Sequence, residues 1–282
     1  MKWLKKYFGS SAPADNSPVH SAATQNCGLV DAVRGGWFQN DSDELYRGFP
    51  ISADDIVLDV GCGGGGASQF CARRGAHLIF TDSDAAKVEA LRIALQHSAA
   101  RQIEGIVSDS LPLPLADAHA SRIIALEMLE HVERPADVLN ELYRVGRPGA
   151  LYFLSVPARE SELLQQTVAP ASHFQAPNHI NVFSAEQFAE LVSGAGLEII
   201  ERHSYGFFWA LWMMFYWTAA NAEGRDFTGA THNQLTAPYP SLVNDWSALW
   251  HAAIELPGGP ALAATMDKTL PKTQIIIARK PI

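Results

Sequence analysis

The stretch that decides the fold of this chain is VLDVGCGGGG, which occupies residues 57–66. The apolar run at residues 56–60 predicts a fully buried strand. The glycines that follow allow a sharp turn and a close approach of the backbone to a ligand, because they carry no Cβ atom. Residues 67–74 then have the pattern of a helix that ends at Gly75. A strand, a glycine turn and a helix N-terminus together predict a nucleotide-binding corner.

Two classes of ligand fit this corner. The spacing Gly61-x-Gly63-x-x-Gly66 matches the dinucleotide fingerprint. The spacing Asp59-x-Gly61-x-Gly63-x-Gly65 resembles the first motif of the class I S-adenosylmethionine-dependent methyltransferases. That resemblance implies that Asp59 meets the amino-acid end of the cofactor. A carboxylate would repel a pyrophosphate but suits a cofactor with an ammonium group and no phosphate, so charge favours the methyltransferase provided that Asp59 faces the ligand.

The rest of the chain alternates between predicted strands and helices. Five strands are predicted at residues 56–60, 77–81, 103–107, 122–126 and 150–156. Such alternation predicts a parallel sheet with helices on both faces. Two more strands are predicted at residues 197–205 and 273–278, which the resemblance implies are an antiparallel pair. We therefore expect an α/β, Rossmann-like fold with a seven-stranded, mostly parallel sheet and a helical insertion before the last strand.

Four segments follow from this pattern. Residues 1–26 are predicted to be a mobile N-terminal leader, because they are rich in Ser, Ala and Pro. Residues 27–205 are the predicted S-adenosylmethionine-binding domain, in which residues 28–38 and 42–47 have helical patterns. Residues 206–272 are a predicted helical, aromatic-rich insertion, here called the cap. Residues 273–282 supply the last strand of the Rossmann-like domain.

The cap begins with an uncharged stretch that is dense in large aromatic side chains, at residues 204–217. Four interpretations stay open: a lid over an apolar acceptor, a dimer surface, a membrane-facing helix, or a helix packed into an enlarged core. If the cap covers the acceptor, we expect Phe208, Trp209 or Trp212 to face the pocket. Peripheral membrane contact or homodimerisation through this insertion is the corresponding prediction for partners.

Composition narrows the function and the compartment. The chain has 282 residues and a formal net charge of −9, so we expect a small-molecule acceptor and no nucleic-acid partner. Three cysteines do not form a disulfide framework or a zinc pattern. The N-terminus lacks the long apolar region of a signal peptide. Together these features predict a cytoplasmic protein.

Acidic residues lie at or just after the carboxyl ends of four of the predicted parallel strands. They are Asp59, Asp82, Asp109 and Glu127. Because ligands of such sheets bind at the carboxyl ends of the strands, we expect these acids to converge. Asp82 lies about twenty residues after the glycines, where an acid can hold both ribose hydroxyls. The resemblance implies that Asp109 contacts the adenine amino group, and Ser110 beside it could supply another polar contact. The other residues predicted to bind the cofactor are Gly61, Cys62, Gly63, Gly65, Ser83 and Glu127.

The segment EMLEHV at residues 127–132 carries the most specific resemblance. It is similar to the corresponding segment of the ubiquinone-biosynthesis O-methyltransferases and of bacterial methyltransferases found with sugar pathways. Its Glu-x-x-Glu-His spacing also resembles that of methyltransferases that modify the 3′ ends of small RNAs. In that family, two glutamates and two histidines hold a divalent metal that binds the acceptor hydroxyls.

The residues themselves allow two interpretations. If residues 127–132 form a helical turn, Glu127, Glu130 and His131 share one face and could bind magnesium, manganese, iron or zinc. His179 would be the fourth ligand, with His173 as a less well-placed rival. Alternatively, Glu127 lines the cofactor pocket, and His131 acts without a metal as a base or orienting group. Glu130 and His131 are the predicted catalytic residues.

These patterns predict methyl transfer from S-adenosylmethionine to a small molecule. The acceptor atom is expected to be a hydroxyl oxygen of a phenolic, quinol-like or sugar substrate. Two alternatives stay open at this point. One is an NAD(P)-dependent oxidoreductase that uses the same glycine turn, and the other is a cofactor-binding module without catalytic activity.

Overall fold

The computed structural model describes residues 18–282, with side chains from residue 27 onward. Its centre is a seven-stranded sheet with the strand order β6-β5-β4-β7-β8-β10-β9. The strands are β4 (Ile56–Val60), β5 (His77–Asp82), β6 (Gln102–Val107), β7 (Ala120–Leu126), β8 (Gly146–Pro157), β9 (Glu198–Tyr205) and β10 (Thr273–Arg279). Strands β4 to β8 are parallel, and β10 pairs antiparallel with both β8 and β9. The predicted fold is confirmed.

Helices flank the sheet and form most of the cap. They are α1 (Pro18–Gly35), α2 (Gly66–Arg73), α3 (Ala85–Leu95), α4 (Pro135–Val145), α5 (Arg159–Gln165), α6 (Ala185–Gly194), α7 (Phe207–Ala222), α8 (Ser241–Ile254) and α9 (Gly259–Thr269). Short 3-10 helices occur at Leu129–His131, Ala171–Phe174 and Thr231–Gln234. The helices α7, α8 and α9 all lie between β9 and β10.

The order of the strands fixes where a ligand can bind. Within this sheet, the chain passes first through the central strand β4 and then outward through β5 to β6. It then returns, and β7 pairs with the other side of β4. Ligands of such sheets bind at this reversal, outside the carboxyl ends of the strands. The side chains of Val57, Leu58 and Val60 are fully buried, as expected for a strand covered on both faces.

Local sequence signals predict several helix starts correctly. Asp84 is the N-cap of α3, and its carboxylate accepts a hydrogen bond from the N–H of Ala86 at 2.9 Å. Ser184 and Gln187 form a capping box at the start of α6. Pro135 occupies the first turn of α4. These signals depend on neighbouring residues only, which is why the sequence reveals them.

The segment before the first sheet strand is a correction. Residues 42–47 are not helical, because β2 (Glu44–Tyr46) pairs with β1 (Trp37–Gln39) and β3 (Phe49–Pro50) in a small antiparallel sheet. The Tyr46 ring stacks on Phe153 of β8 at 5.3 Å, so tertiary burial overrides the local helical pattern. Helix α1 begins at Pro18, inside the predicted leader. The remainder of that leader, residues 1–17, lies outside the described residues.

The aromatic stretch of the cap packs inward. The side chains of Phe208, Tyr216 and Trp217 are completely buried, and Trp212 is 3% exposed. They form a core with residues of α8, including Trp250. Of the interpretations left open by the sequence, burial supports a helix packed into an enlarged core. Within residues 18–282, no helix is both long and apolar enough to cross a membrane.

Candidate active site

A cavity of about 1060 Å³ opens at the carboxyl ends of the parallel strands. The glycine turn between β4 and α2 forms one wall, and residues 126–132 after β7 form another. Met213 and Leu235 of the cap form part of a third wall. Every residue predicted from the sequence to be a cofactor contact, a catalytic group or a metal ligand lines this cavity.

The glycine turn needs glycine at specific positions. Gly61, Gly63 and Gly65 have φ angles of 70°, 49° and 76°, in the left-handed region that disfavours other residues. A Cβ atom at Gly65 would also clash with the Leu91 side chain of α3. The turn therefore packs tightly against α3 on one side, while its other side lines the cavity.

Asp82 is held rigidly at the edge of the cavity. Its Oδ2 atom accepts a hydrogen bond from the N–H of Gly63 at 3.0 Å, and its Oδ1 atom accepts one from the N–H of Asp84 at 3.0 Å. These two bonds join the glycine turn to the start of α3. Each carboxylate oxygen has a second lone pair, so Asp82 can still accept hydrogen bonds from two ligand hydroxyls.

Asp59 is almost completely buried beneath the same turn. Its Oδ2 atom accepts a hydrogen bond from the Ser68 hydroxyl at 2.6 Å. Burial raises the pKa of the Asp59 carboxyl to about 6, although the hydrogen bond to Ser68 opposes that shift. A positively charged group of a ligand in the cavity would favour the ionised form of this carboxylate.

The end of β6 supplies Asp109 and Ser110. Asp109 accepts a hydrogen bond from the N–H of Leu111 at 3.2 Å, and Ser110 is 5% exposed with a φ angle of 74°. The turn that follows β5 adds Ser83, and the glycine turn adds Cys62. Burial raises the pKa of the Cys62 thiol to about 12, so it is a neutral wall group and not a nucleophile.

Glu127 does not share a helical face with Glu130 and His131, which corrects the sequence-based expectation. Its φ angle of 51° is left-handed, so Glu127 is not part of the 3-10 helix that begins at Leu129. Its carboxylate accepts a hydrogen bond from Ser155 and forms an ion pair with Lys272 at 2.8 Å. Among the residues described, the potential metal-binding groups of three or more side chains do not include Glu127.

Glu130 is the most unusual carboxylate of the site. It is 1% exposed, and within residues 27–282 neither of its carboxylate oxygens has a hydrogen-bond partner. Burial and the nearby Glu127 carboxylate raise its pKa well above the ordinary value. An ionised carboxylate that is buried without hydrogen bonds is unfavourable, so Glu130 is expected to bind either a proton or a cation.

His131 and His179 lie beside this carboxylate. One potential ligand atom from each of Glu130, His131 and His179 lies within 4.8 Å of the other two. The two imidazole rings are 5.0 Å apart between centroids, close enough to share a ligand. Burial and the neighbouring His179 lower the pKa of His131, so its imidazole is neutral near pH 7.

The hydrogen bond made by His131 selects its tautomer. Its Nδ1 atom lies 3.1 Å from the carbonyl oxygen of Pro177, which can only accept, so Nδ1 carries the proton. The Nε2 atom therefore keeps its lone pair, and it lies 3.7 Å from Oε1 of Glu130. That nitrogen is able to take a proton or to bind a cation.

A second layer of buried groups surrounds His179. The Nδ1 atom of His179 lies 2.7 Å from Oε2 of Glu162, which is 1% exposed. Burial raises the pKa of Glu162, but the hydrogen bond from His179 and the nearby charge of Lys272 outweigh that effect and lower it overall. His173 packs against His179 with ring centroids 4.4 Å apart, and burial lowers its pKa to about 3.

The cap is fastened to this layer by polar contacts. The side chain of Asn178 donates to the carbonyl oxygen of Gly229 and accepts from the N–H of Thr231. The Thr231 hydroxyl also contacts Nδ1 of His173 at 2.8 Å. The cap residues that line the cavity are Met213, Ala230, Thr231, His232, Asn233, Leu235 and Lys272. The expectation that Phe208, Trp209 or Trp212 would face the pocket is wrong, because the aromatic core of the cap uses these side chains.

Sequence reasoning missed Glu162 and Lys272. Nothing in the local spacing singles out Glu162, because its partner His179 lies 17 residues away in the chain. Lys272 could have been found. An antiparallel strand begins at the edge where its parallel neighbours end, and Thr273 of β10 pairs with Pro157 at the end of β8. The residue before β10 must therefore reach the site.

Comparison with known proteins agrees with this geometry. A family model described as a methyltransferase domain matches residues 40–202. The chain belongs to this methyltransferase family. It is 30% identical over 195 residues to the ubiquinone biosynthesis O-methyltransferase of Pseudomonas paraeruginosa, covering 68% of this chain and 75% of the relative. The enzyme of the same name from Aeromonas salmonicida is 30% identical over 185 residues, which cover 60% and 70% of the two chains.

A solved structure of similar fold is the geranyl diphosphate C-methyltransferase from Streptomyces coelicolor A3(2). It superimposes with a TM-score of 0.56 at 12% sequence identity, covering 95% of this methyltransferase and 86% of that chain. At this identity the likeness concerns the fold only.

The cavity of this methyltransferase fits S-adenosylmethionine. Asp82 presents a fixed carboxylate for ribose hydroxyls, and Asp59 places a second carboxylate under the glycine turn. The Asp59 carboxylate suits a cofactor that carries an ammonium group, and it would repel a pyrophosphate. The family match and this charge pattern together favour the methyltransferase over the oxidoreductase and over the module without catalytic activity.

Proposed function

We propose that this methyltransferase transfers a methyl group to a phenolic or quinol-like hydroxyl oxygen of a small molecule. The relatives with about 30% identity are named for O-methylation in ubiquinone biosynthesis, which supports an aromatic hydroxyl as the acceptor. The bound S-adenosylmethionine supplies an activated methyl group. The protein must align the hydroxyl with that group and remove a proton from it.

We further propose that Glu130, His131 and His179 hold a divalent cation beside the acceptor. The observation that carries this proposal is the buried Glu130 carboxylate, whose two oxygens have no hydrogen-bond partner among the described residues. A carboxylate and two imidazoles suit zinc, iron or manganese better than magnesium. A cation at this position would lower the pKa of the acceptor hydroxyl.

The residues also have a role that does not depend on the cation. When no cation is bound to Nε2 of His131, that atom can accept the hydroxyl proton, because Pro177 holds the proton of this imidazole on Nδ1. Glu127 and Lys272 neutralise each other beside this site, so Glu127 is not proposed as a ligand. Met213 and Leu235 exclude water from the side of the cap.

The test is a methyl-transfer assay on a panel of phenols, catechols and sugars, with product mass identified by mass spectrometry. We expect transfer to aromatic hydroxyls, loss of turnover with a chelator, and retained binding of S-adenosylmethionine. Glu130→Gln should reproduce the loss, whereas Glu133→Gln, which alters an exposed carboxylate three residues further on, should not. Methylation of sugars alone would overturn the proposed acceptor class. Full turnover in the chelator would remove the cation and leave His131 as the base.

A further inference from the structure

A chain of buried hydrogen bonds links the aromatic helix of the cap to His179. The indole Nε1–H of Trp217 on α7 donates to Oε1 of Gln165 at 3.1 Å. The Nε2–H of Gln165 donates to Oε1 of Glu162 at 3.0 Å, and Oε2 of Glu162 lies 2.7 Å from Nδ1 of His179. The side chains of Trp217 and Gln165 are completely buried.

The chemistry of these groups fixes the direction of every bond. The indole nitrogen of Trp can only donate, so it sets the orientation of the Gln165 amide. An ionised carboxylate can only accept, so Glu162 takes one hydrogen bond from Gln165 and one from His179. His179 must therefore carry its proton on Nδ1, which leaves the lone pair of Nε2 available to a ligand.

We propose that Glu162 is a positioning residue that fixes the tautomer and ring orientation of His179, and that Trp217 acts on it through Gln165. The inference rests on the proposed function, because it assigns His179 a role in the acceptor site. It also gives the cap a role in the site beyond covering it. The family match ends at residue 202, so Trp217 belongs to a part of the chain that this match does not describe.

This arrangement predicts a specific effect of the substitution Glu162→Gln. In Glu162→Gln, the Gln165 amide still points its Nε2–H at position 162, because Trp217 holds it there. The new side chain must accept that bond with its oxygen and present its own NH₂ group to His179. We expect His179 to accept at Nδ1 and move its proton to Nε2, which removes the lone pair from the site.

The tautomer can be measured without acceptor or cation. Long-range ¹⁵N–¹H correlation spectra of the full chain, saturated with S-adenosylhomocysteine and a chelator, distinguish protonated from unprotonated ring nitrogens. At about pH 8, we expect Nδ1–H in the native protein and Nε2–H in Glu162→Gln. Adding Trp217→Phe to Glu162→Gln frees the Gln165 amide to rotate and should restore part of the Nδ1–H population.

A matched control separates this effect from loss of aromatic volume. Trp246 belongs to the same aromatic core, but its indole N–H donates to the carbonyl oxygen of Phe208. Trp246→Phe in the Glu162→Gln background should leave His179 in the Nε2–H tautomer. Glu160→Gln in the otherwise native protein changes an exposed carboxylate of α5, and it should leave His179 in the Nδ1–H tautomer.

Turnover gives an independent reading of the same chain. Loss of an orienting partner commonly lowers activity by about 10- to 100-fold. We expect a fall of this size in kcat for Glu162→Gln, with unchanged affinity for S-adenosylmethionine and partial recovery on adding Trp217→Phe. An unchanged His179 tautomer in Glu162→Gln would overturn the positioning role. A changed tautomer in an enzyme that does not methylate hydroxyls would retain that role and refute the proposed function instead.

Discussion

The Nζ atom of Lys272 lies 2.8 Å from Oε2 of Glu127, although 145 residues separate the two in the chain. The pair joins the residue before the last strand to the residue after β7. Burial alone would lower the pKa of Lys272, but the Glu127 and Glu162 carboxylates outweigh it and raise that pKa above its ordinary value. The ammonium group is therefore charged, and it balances an otherwise acidic part of the cavity.

Lys272→Met should destabilise the fold and leave Glu127 without its counter-ion. Breaking a fully buried ion pair costs about 3–5 kcal/mol, but the Glu127 side chain is 34% exposed, so solvent reduces the effect. We expect a loss of roughly 1–3 kcal/mol in the free energy of unfolding, measured by urea denaturation. Lys268→Met, on an exposed position of α9, is the control and should have little effect. Equal stability of the two variants would show that the pair contributes nothing.

Asp82→Ala should weaken the binding of S-adenosylmethionine. Removal of this carboxylate leaves the ligand hydroxyls without an acceptor. It also removes the hydrogen bonds that Asp82 accepts from the N–H groups of Gly63 and Asp84. We expect a loss of about 1–3 kcal/mol, or roughly 5- to 150-fold in Kd, by titration calorimetry. Asp54→Ala removes an exposed acid at the opposite end of β4 and should not change Kd. If the folded Asp82 variant bound with native affinity, Asp82 would not contact the cofactor.

Asp59→Asn should make the protein without cofactor more stable at neutral pH. The pKa of Asp59 is about 6 in the folded protein against 3.8 for the free group, so the folded state binds more protons between these values. The stability of the native protein therefore falls as pH rises from about 4 to 6, and the full penalty is present above 6. A shift of this size corresponds to roughly 2–3 kcal/mol.

The asparagine variant has no such penalty, so its stability advantage should be larger at pH 8 than at pH 5 in urea denaturation. Its affinity for S-adenosylmethionine should fall, because the charge that attracts the ammonium group is gone. A constant difference between the two pH values would mean that Asp59 does not titrate as its burial requires.

Met213→Ala should raise the KM for the acceptor and leave the Kd for S-adenosylmethionine unchanged. Met213 is 8% exposed and lines the cavity from the cap, whereas the neighbouring Met214 does not line it. Met214→Ala is therefore the matched control, with the same loss of volume on the same helix. Steady-state kinetics with a methylated phenol as product gives the KM of both variants, and titration calorimetry gives their Kd for S-adenosylmethionine. A change in cofactor affinity alone would place Met213 beside the cofactor and not beside the acceptor.

The sequence by itself determined the alternation of strands and helices, the glycine turn and the edge at which the ligand binds. Each depends on short-range patterns: apolar runs, glycines with φ angles that other residues avoid, and acids such as Asp82 at the end of a strand. The same holds for the helix caps at Asp84 and Ser184. Parallel strands bring their carboxyl ends to one edge, so linear position was enough to predict that these acids converge.

Only the tertiary structure decided which partner each buried polar group has. The left-handed backbone at Glu127 directs its side chain away from Glu130 and toward Lys272. The fold also places Glu162 beside His179, and Trp217 beside Gln165. These pairs are far apart in the chain, and their spacing carries no periodic signal. They exist because a group removed from water must find a partner among whatever the packed helices and strands place beside it.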